Sequence, residues 1–142
     1  MSLRYVDTSI LVAALAKEAH TPRAQRWLAT AALGELAISD WGIAEFSSAL
    51  SIKMRTGQIK AGKRAEALRA FSMMLGQSLE VLPVVSGHFV TAARFSDQYS
   101  LGLRAADALH LAVAADRGAT LYTLDKRLVA AANALNIAAK RV

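Results

Sequence analysis

The stretch LRYVDTSIL, residues 3–11, determines how the amino-terminal part of the chain folds. Leu3, Tyr5 and Val6 form a short apolar run, Asp-Thr-Ser follows it, and the apolar residues resume directly afterwards as ILVA. This pattern predicts a β-strand that turns straight into an α-helix, with Asp7 at the carboxyl end of the strand. At such a turn an aspartate either caps the helix through its side chain or is available for a ligand.

Further apolar runs of strand length follow along the chain, and helical patterns lie between all of them. The runs are LAIS at 36–39, LEVLPVV at 79–85, TLYTL at 120–124 and the segment 137–142. Helical pairs are expected after the first two strands. The alternation predicts an α/β fold with helices on both faces of a mainly parallel sheet of four to five strands. Ligands of such sheets gather beyond the carboxyl ends of the strands.

Start and stop signals bound the predicted helices. Thr21-Pro22 opens PRAQRWLATAAL, Asp40 precedes WGIAEFSSALSIKMRT, Gly57 closes that helix, and Ser86 precedes GHFVTAARFSDQY. The segment RAADALHLAVAADRG, residues 104–118, is apolar on nearly every face until its last turn and ends in glycine. We therefore expect the helix over residues 104–118 to be mostly buried.

Length and composition restrict the class of protein. The 142 residues, 54% of them hydrophobic, predict one domain over residues 1–142 with a single core. The absence of cysteine excludes disulfide scaffolds, thiolate nucleophiles and zinc–thiolate sites. No signal-peptide pattern is present, and no apolar stretch reaches the roughly 20 residues of a membrane span, which predicts a soluble, cytoplasmic protein. The net charge of +6 favours a polyanionic partner, with nucleic acid the leading candidate.

Four of the 11 acidic residues stand in unusual surroundings. Asp7 and Asp125 end strands, Glu45 interrupts the apolar run GIAEF within a helix, and Asp107 lies in the first turn of the apolar helix. Each has a simple structural explanation, because Asp7 and Asp125 can cap helices, Asp107 can interact with a helix dipole and Glu45 can be the polar edge of its helix. Taken together they indicate a shared site, since the carboxyl ends of parallel strands meet at one edge of a sheet.

A shared acidic site implies a cation. Unpaired carboxylates are expensive to bury, so several that converge need a positive charge between them. Oxygen ligands in a chain without cysteine select hard ions such as Mg²⁺ or Mn²⁺, which bridge carboxylates and phosphate oxygens. One or two such ions activate a water molecule and stabilise the leaving oxygen in phosphodiester cleavage.

These motifs, in this order and spacing, resemble the PIN-domain family, and within it the VapC-type toxin ribonucleases. The matching segments are YVDTSIL, the IAEF helix with Glu45, RAADALHLAVA with Asp107, and LYTLDKRL with Asp125. The resemblance covers nearly the whole chain. It implies a PIN-like three-layer α/β/α fold and a metal-dependent endoribonuclease with Asp7, Glu45, Asp107 and Asp125 around Mg²⁺ or Mn²⁺. It also implies an RNA substrate, a homodimer, and a cognate VapB-type antitoxin whose carboxy-terminal segment lies over the acidic groove.

Several neighbours are candidates for supporting roles. Thr123 lies two residues before Asp125, so its side chain points the same way and can orient Asp125 or a metal-bound water, or it is present for its β-propensity alone. The hydroxyls of Thr8 and Ser9 can hold the carboxylate of Asp7 or cap the first helix. Arg104 either pairs with the acids or binds a phosphate.

His110 and a basic segment complete the prediction. His110 lies one turn after Asp107, and we expect it to be a packed, hydrogen-bonded histidine rather than a metal ligand or base. The segment KMRTGQIKAGKR, residues 53–64, is predicted to be a basic loop that contacts phosphates or simply faces solvent.

Other classes of function remain open at this point. A solitary PIN-type RNA-processing nuclease would need the same acids. A phosphotransferase with Asp7 as nucleophile is disfavoured, because a haloacid-dehalogenase-like hydrolase carries a second aspartate where this chain has Ser9. A non-catalytic module that binds nucleic acid or protein would show no metal-dependent turnover.

Overall fold

The sheet is built from five short strands whose spatial order differs from their order in the chain. In the computed structural model, which describes residues 2–142, the strands are β1 (Arg4–Val6), β2 (Leu36–Ser39), β3 (Leu79–Leu82), β4 (Thr120–Thr123) and β5 (Ala139–Arg141). The order across the sheet is β3-β2-β1-β4-β5, and every neighbouring pair is parallel. The predicted α/β fold with a mainly parallel sheet of four to five strands is confirmed.

Seven α-helices connect these strands within residues 2–142. They are α1 (Thr8–Leu15), α2 (Thr21–Leu28), α3 (Asp40–Arg55), α4 (Ala61–Gln77), α5 (Ser86–Asp97), α6 (Ala105–Asp116) and α7 (Lys126–Ala134), with a short 3₁₀ turn at Tyr99–Leu101. Helical pairs follow β1 and β2, as predicted. Over the same residues, none of the helices combines the length and the apolarity that a membrane crossing would need.

Each face of the sheet carries its own hydrophobic core, because successive side chains of a strand point to opposite faces. On one face Val6 and Ile38 pack with α1–α4, where the ring of Phe46 lies at the centre. On the other face Tyr5 and Leu121 pack with α6 and α7. The helices therefore form two layers around the sheet, which gives the expected three-layer α/β/α arrangement.

A crevice opens where the chain changes direction across the sheet. From the central strand β1 the chain proceeds outward through β2 and β3, and it then returns to the opposite side of β1 as β4. Tyr5 is paired with Ala37 on one side and with Leu121 on the other. Crossover connections that leave two adjacent parallel strands in opposite directions create a ligand-binding crevice at the strands' carboxyl ends. Asp7 and Asp125 lie just beyond β1 and β4.

Two element boundaries differ from the prediction. Helix α2 ends at Leu28 instead of continuing to residue 33, because the chain turns at Thr30, whose backbone N–H and hydroxyl both donate to the carbonyl of Trp27. Strand β3 ends at Leu82, since Pro83 has no N–H with which to continue the ladder.

The start of α3 and the basic segment also require correction. Ser39, not Asp40, caps α3, and its Oγ accepts from the N–H of Gly42 at 3.3 Å. The predicted basic loop is mostly helical, because its first residues form the last turn of α3 and its last residues begin α4. Lys53 is paired with Glu18 at 2.8 Å, which leaves fewer cations on this segment for a phosphate.

Candidate metal centre

Asp7 is buried at the carboxyl end of β1, with 7% of its surface exposed. It occupies the residue before α1, yet its side chain makes no capping hydrogen bond to that helix. Its Oδ2 instead accepts from the hydroxyl of Ser9 at 2.8 Å and from the hydroxyl of Thr123 at 2.7 Å. The interpretation of Asp7 as a side-chain cap is therefore wrong, and its carboxylate is held in place by two hydroxyl donors.

Glu45 projects from α3 toward the same crevice. Its Oε1 accepts from the hydroxyl of Thr8 at 2.8 Å and is also in contact with Nε2 of His110. Burial alone would raise the pKa of Glu45, but the hydrogen bond and charge of His110, together with the Thr8 hydroxyl, outweigh burial and lower it. Glu45 is therefore held as a carboxylate.

Asp107, in the first turn of α6, has a pKa above its ordinary value. Burial raises its pKa first, and the negative charge of Asp7 raises it further. Asp125 and Glu45 act in the same direction, while His110 opposes them. Asp107 thus lies within electrostatic range of the other three predicted acids, and ionising it beside them is unfavourable without a cation.

Asp125 has the capping role that its position allows. It precedes α7, and its Oδ1 accepts from the N–H of Arg127 at 2.9 Å. Its own N–H donates to the hydroxyl of Thr123 at 3.0 Å. Because a carboxylate has two oxygens with several lone pairs, a cap through Oδ1 is compatible with a second ligand.

An open cleft of about 620 Å³ brings these side chains together. Its lining includes the four acids Asp7, Glu45, Asp107 and Asp125, together with Arg104 and His20. A smaller cavity of about 170 Å³ adjoins it and shares Arg104, Asp107 and Asp125. The sequence-predicted acids therefore line one cleft at the switch point of the sheet.

The donor set fits a hard divalent ion. Asp7, Glu45 and His110 each place one potential ligand atom within 4.8 Å of the others. Within residues 2–142, neither a lysine nor an arginine forms an ion pair with any of the four acids, and the ring of His110 contacts Glu45 and lies 3.8 Å from Asp7. Mg²⁺ and Mn²⁺ prefer clustered oxygen donors that are not already paired with a lysine or arginine side chain.

The predicted supporting residues are found at the site, although Thr123 and Thr8 have different partners from those expected. Thr123 donates to Asp7 on the neighbouring strand rather than to Asp125, whose N–H it accepts. Thr8 and Ser9 hold Glu45 and Asp7 respectively, so neither hydroxyl is a helix cap. Arg104 lines the cleft without an ion pair to the acids among the described residues.

Sequence reasoning missed two buried residues beneath the site, Tyr5 and Ser39. The hydroxyl of Tyr5 lies 2.7 Å from Oγ of Ser39 and 2.6 Å from Nδ1 of His110. The expectation that His110 is a packed, hydrogen-bonded histidine is confirmed by these contacts and by its 1% exposure. Strand alternation could have indicated Tyr5, because it lies two residues before Asp7 and points to the same face.

Comparison with known proteins gives several solved structures of the same fold. VapC20 from Mycobacterium tuberculosis, described as a toxin that cleaves the sarcin-ricin loop, superposes with a TM-score of 0.74 at 20% identity over 90% of this chain and 94% of its own. FitAcB from Neisseria gonorrhoeae gives 0.69 at 18% identity, covering 96% of both chains. PAE2754 from Pyrobaculum aerophilum gives 0.67 at 27% identity over 92% of this chain and 79% of its own. No curated protein matches the sequence.

The family follows from the sequence itself. The model of the PIN domain matches residues 4–134, a range that contains all four acids of the cleft. The match covers far more than half of the 142 residues. The chain therefore belongs to the PIN-domain family.

Proposed function

We propose that this chain is an endoribonuclease that cleaves RNA phosphodiester bonds with Mg²⁺ or Mn²⁺, and that residues 1–142 form one PIN nuclease domain. The observation that carries the proposal is the convergence of four carboxylates from different elements on one cleft at the switch point of the sheet. The raised pKa of Asp107, caused by burial and then by the charge of Asp7, supports a requirement for a cation there.

In the proposed reaction Asp7, Glu45, Asp107 and Asp125 would hold the metal. A divalent ion bound there would lower the pKa of its water ligand and stabilise negative charge on the phosphate oxygens. Asp7 keeps its orientation through the hydroxyls of Ser9 and Thr123. Arg104 is unpaired with these acids among the described residues, so its guanidinium is available for a phosphate of the RNA backbone.

We assign the chain to the VapC type of toxin, acting in the cytoplasm. This assignment is supported by the similar folds of VapC20 and of a toxin–antitoxin complex from Klebsiella pneumoniae, the latter at 20% identity and a TM-score of 0.66. A cognate VapB-type antitoxin is the expected inhibitor, with a carboxy-terminal segment over the acidic cleft. A solitary RNA-processing nuclease is the alternative, and the presence or absence of a small DNA-binding protein encoded next to this gene distinguishes the two.

We also expect a homodimer. Helix α5 presents three exposed apolar side chains, Val85 at its start, Phe89 and Val90. Phe89 is 57% exposed and borders an apolar cavity of about 260 Å³ that also contains Trp41. Burying such a surface against a second copy is a common way to remove it from water.

The nuclease proposal is tested by RNA cleavage with the purified chain, free of antitoxin. We expect cleavage with Mg²⁺ or Mn²⁺, and its loss in excess EDTA. Asp107→Asn should be inactive, whereas the matched control Asp97→Asn, an exposed aspartate on α5, should cleave like the wild type. Cleavage that persists in excess chelator would show that the mechanism does not use a metal.

A further inference from the structure

Beneath the metal centre, a buried chain of hydrogen bonds connects four different elements. Tyr5 on β1, Ser39 at the end of β2 and His110 on α6 are all at most 1% exposed. The Tyr5 hydroxyl contacts both Oγ of Ser39 and Nδ1 of His110, and Nε2 of His110 contacts Glu45 on α3. The chain therefore begins in the core and ends on one of the proposed metal ligands.

The hydrogen positions in this chain follow from counting donors and acceptors. A carboxylate only accepts, so the proton on His110 must be on Nε2, where it is donated to Glu45. In the neutral ring Nδ1 is then an acceptor, and the hydroxyl of Tyr5 donates to it at 2.6 Å. In the charged ring both nitrogens carry a proton, and Nδ1 donates to the hydroxyl oxygen of Tyr5 instead. The opposite tautomer would place the lone pair of Nε2 against the lone pairs of Glu45.

The remaining hydrogens agree with the same arrangement. With the ring charged, the Tyr5 hydroxyl donates to Oγ of Ser39, and with the ring neutral Oγ of Ser39 donates to the phenol oxygen; in both cases Oγ of Ser39 accepts from the N–H of Gly42. Burial raises the pKa of Tyr5 far above its ordinary value, so this hydroxyl keeps its proton. In both arrangements Nε2 of His110 donates to Glu45.

We infer that Tyr5 and His110 are positioning residues that fix the carboxylate of Glu45 for the metal, with His110 donating through Nε2 and Tyr5 holding the ring in place through Nδ1. This inference rests on the proposed metal-dependent function. Glu45 lies in the second turn of α3, beyond the end of β2 at Ser39, and its Oε1 is held by two donors, Thr8 and His110. Partners that orient a metal ligand typically change metal affinity about 10- to 100-fold when they are removed.

The tautomer can be measured in the metal-free protein by NMR. The chain has three histidines, and His110→Gln identifies the resonances of His110 in protein labelled with ¹⁵N-histidine. We expect Nε2 of His110 to carry a proton both without metal and with saturating Mg²⁺. A ring protonated on Nδ1 alone, with a bare Nε2 that shifts when Mg²⁺ is added, would make His110 a metal ligand and overturn the inference.

The positioning role is tested by Mn²⁺ affinity, measured by calorimetry and by the loss of the free-Mn²⁺ EPR signal. Tyr5→Phe should bind Mn²⁺ about 10-fold more weakly than the wild type. The matched control is Tyr122→Phe, because Tyr122 lies on the adjacent strand β4 and its hydroxyl makes no hydrogen bond within residues 2–142. It should bind Mn²⁺ normally.

Two further variants separate positioning from packing. His110→Gln retains an N–H donor for Glu45 and should bind Mn²⁺ more tightly than His110→Leu, which fills the space without a donor. Circular dichroism and thermal melts identify any variant that fails to fold. If the wild type binds Mn²⁺, and both Tyr5→Phe and His110→Leu bind it as tightly as the wild type does, the positioning role is refuted while the proposed function stands. If the wild type itself binds no Mn²⁺, the proposed function fails first.

Discussion

Replacing Asp7 with asparagine removes one charge from the cleft and almost nothing else. The amide oxygen of asparagine can take the place of Oδ2 and accept from Ser9 and Thr123 as the carboxylate does. Each of these hydrogen bonds loses its ionic component, about 1 kcal/mol. The substitution also removes the repulsion between the charges of Asp7 and Asp107, which stabilises the folded protein by an energy of the same order. The metal-free protein should therefore keep its stability to within about 1 kcal/mol.

The effects on metal and catalysis should be much larger. If Mg²⁺ is present at about 100 times its dissociation constant, binding stabilises the wild type by about 2.7 kcal/mol. At roughly 4 °C per kcal/mol for a chain of this size, this corresponds to a rise in melting temperature of about 10 °C. Asp7→Asn should lose most of that rise. It should also cleave RNA at least about 100-fold more slowly, because a ligand charge worth about 3 kcal/mol is missing from the transition state.

The assay combines thermal melts with and without Mg²⁺ and initial rates of RNA cleavage, for the wild type, Asp7→Asn and the control Asp97→Asn. The control removes a charge of the same type from an exposed position on α5 and should behave like the wild type in both measurements. Wild-type cleavage together with a full Mg²⁺-induced rise in melting temperature for Asp7→Asn would refute the assignment of Asp7 as a metal ligand.

Three further predictions concern other parts of the molecule. Thr123→Val keeps the shape of the side chain but removes both the donor to Asp7 and the acceptor for Asp125, so thermal melts should show a loss of about 1–2 kcal/mol, with slower cleavage. Because burial and then the charge of Asp7 raise the pKa of Asp107 in the folded state, the metal-free wild type should lose stability relative to Asp107→Asn as the pH rises through that pKa, and added Mg²⁺ should offset this loss. The comparison with Asp107→Asn cancels the opposite contribution of Glu45, whose pKa is lowered; melts in which the wild type gains stability relative to Asp107→Asn would contradict the sign. Phe89→Asp should convert a dimer into a 15.1 kDa monomer in light scattering, and a wild type that is already monomeric at micromolar concentration would disprove the dimer.

The sequence predicted the parts of the structure that depend on local periodicity. The strands were found because short apolar runs alternate with helical patterns, and Asp7 and Asp125 were placed at the cleft because they end two such runs. Helix ends were less accurate. The turn at Thr30 includes a side chain-to-backbone hydrogen bond beside the backbone one, and an apolar pattern reveals neither.

Contacts between distant segments could not be predicted from one sequence. Alternation correctly gave the direction of the Thr123 side chain but not its partner, because the partner depends on which strand lies beside β4. Tyr5 and His110 are 105 residues apart, and each by itself looks like an ordinary core residue. The acids of the cleft were recognisable because charge is rare in apolar surroundings, whereas a buried tyrosine is not.

The pairing of β1 with β4 determines when during synthesis the site can exist. The two hydroxyls that hold Asp7 come from opposite ends of the chain, and Thr123 is 116 residues away from it. Chains emerge from the ribosome amino terminus first, and β1 then has β2 as its only neighbour until residues 120–123 follow. Asp107 and Asp125 are added equally late. The cleft with its four acids therefore cannot be assembled before residues 120–125 have been synthesised, and any activity of the cleft must follow that step.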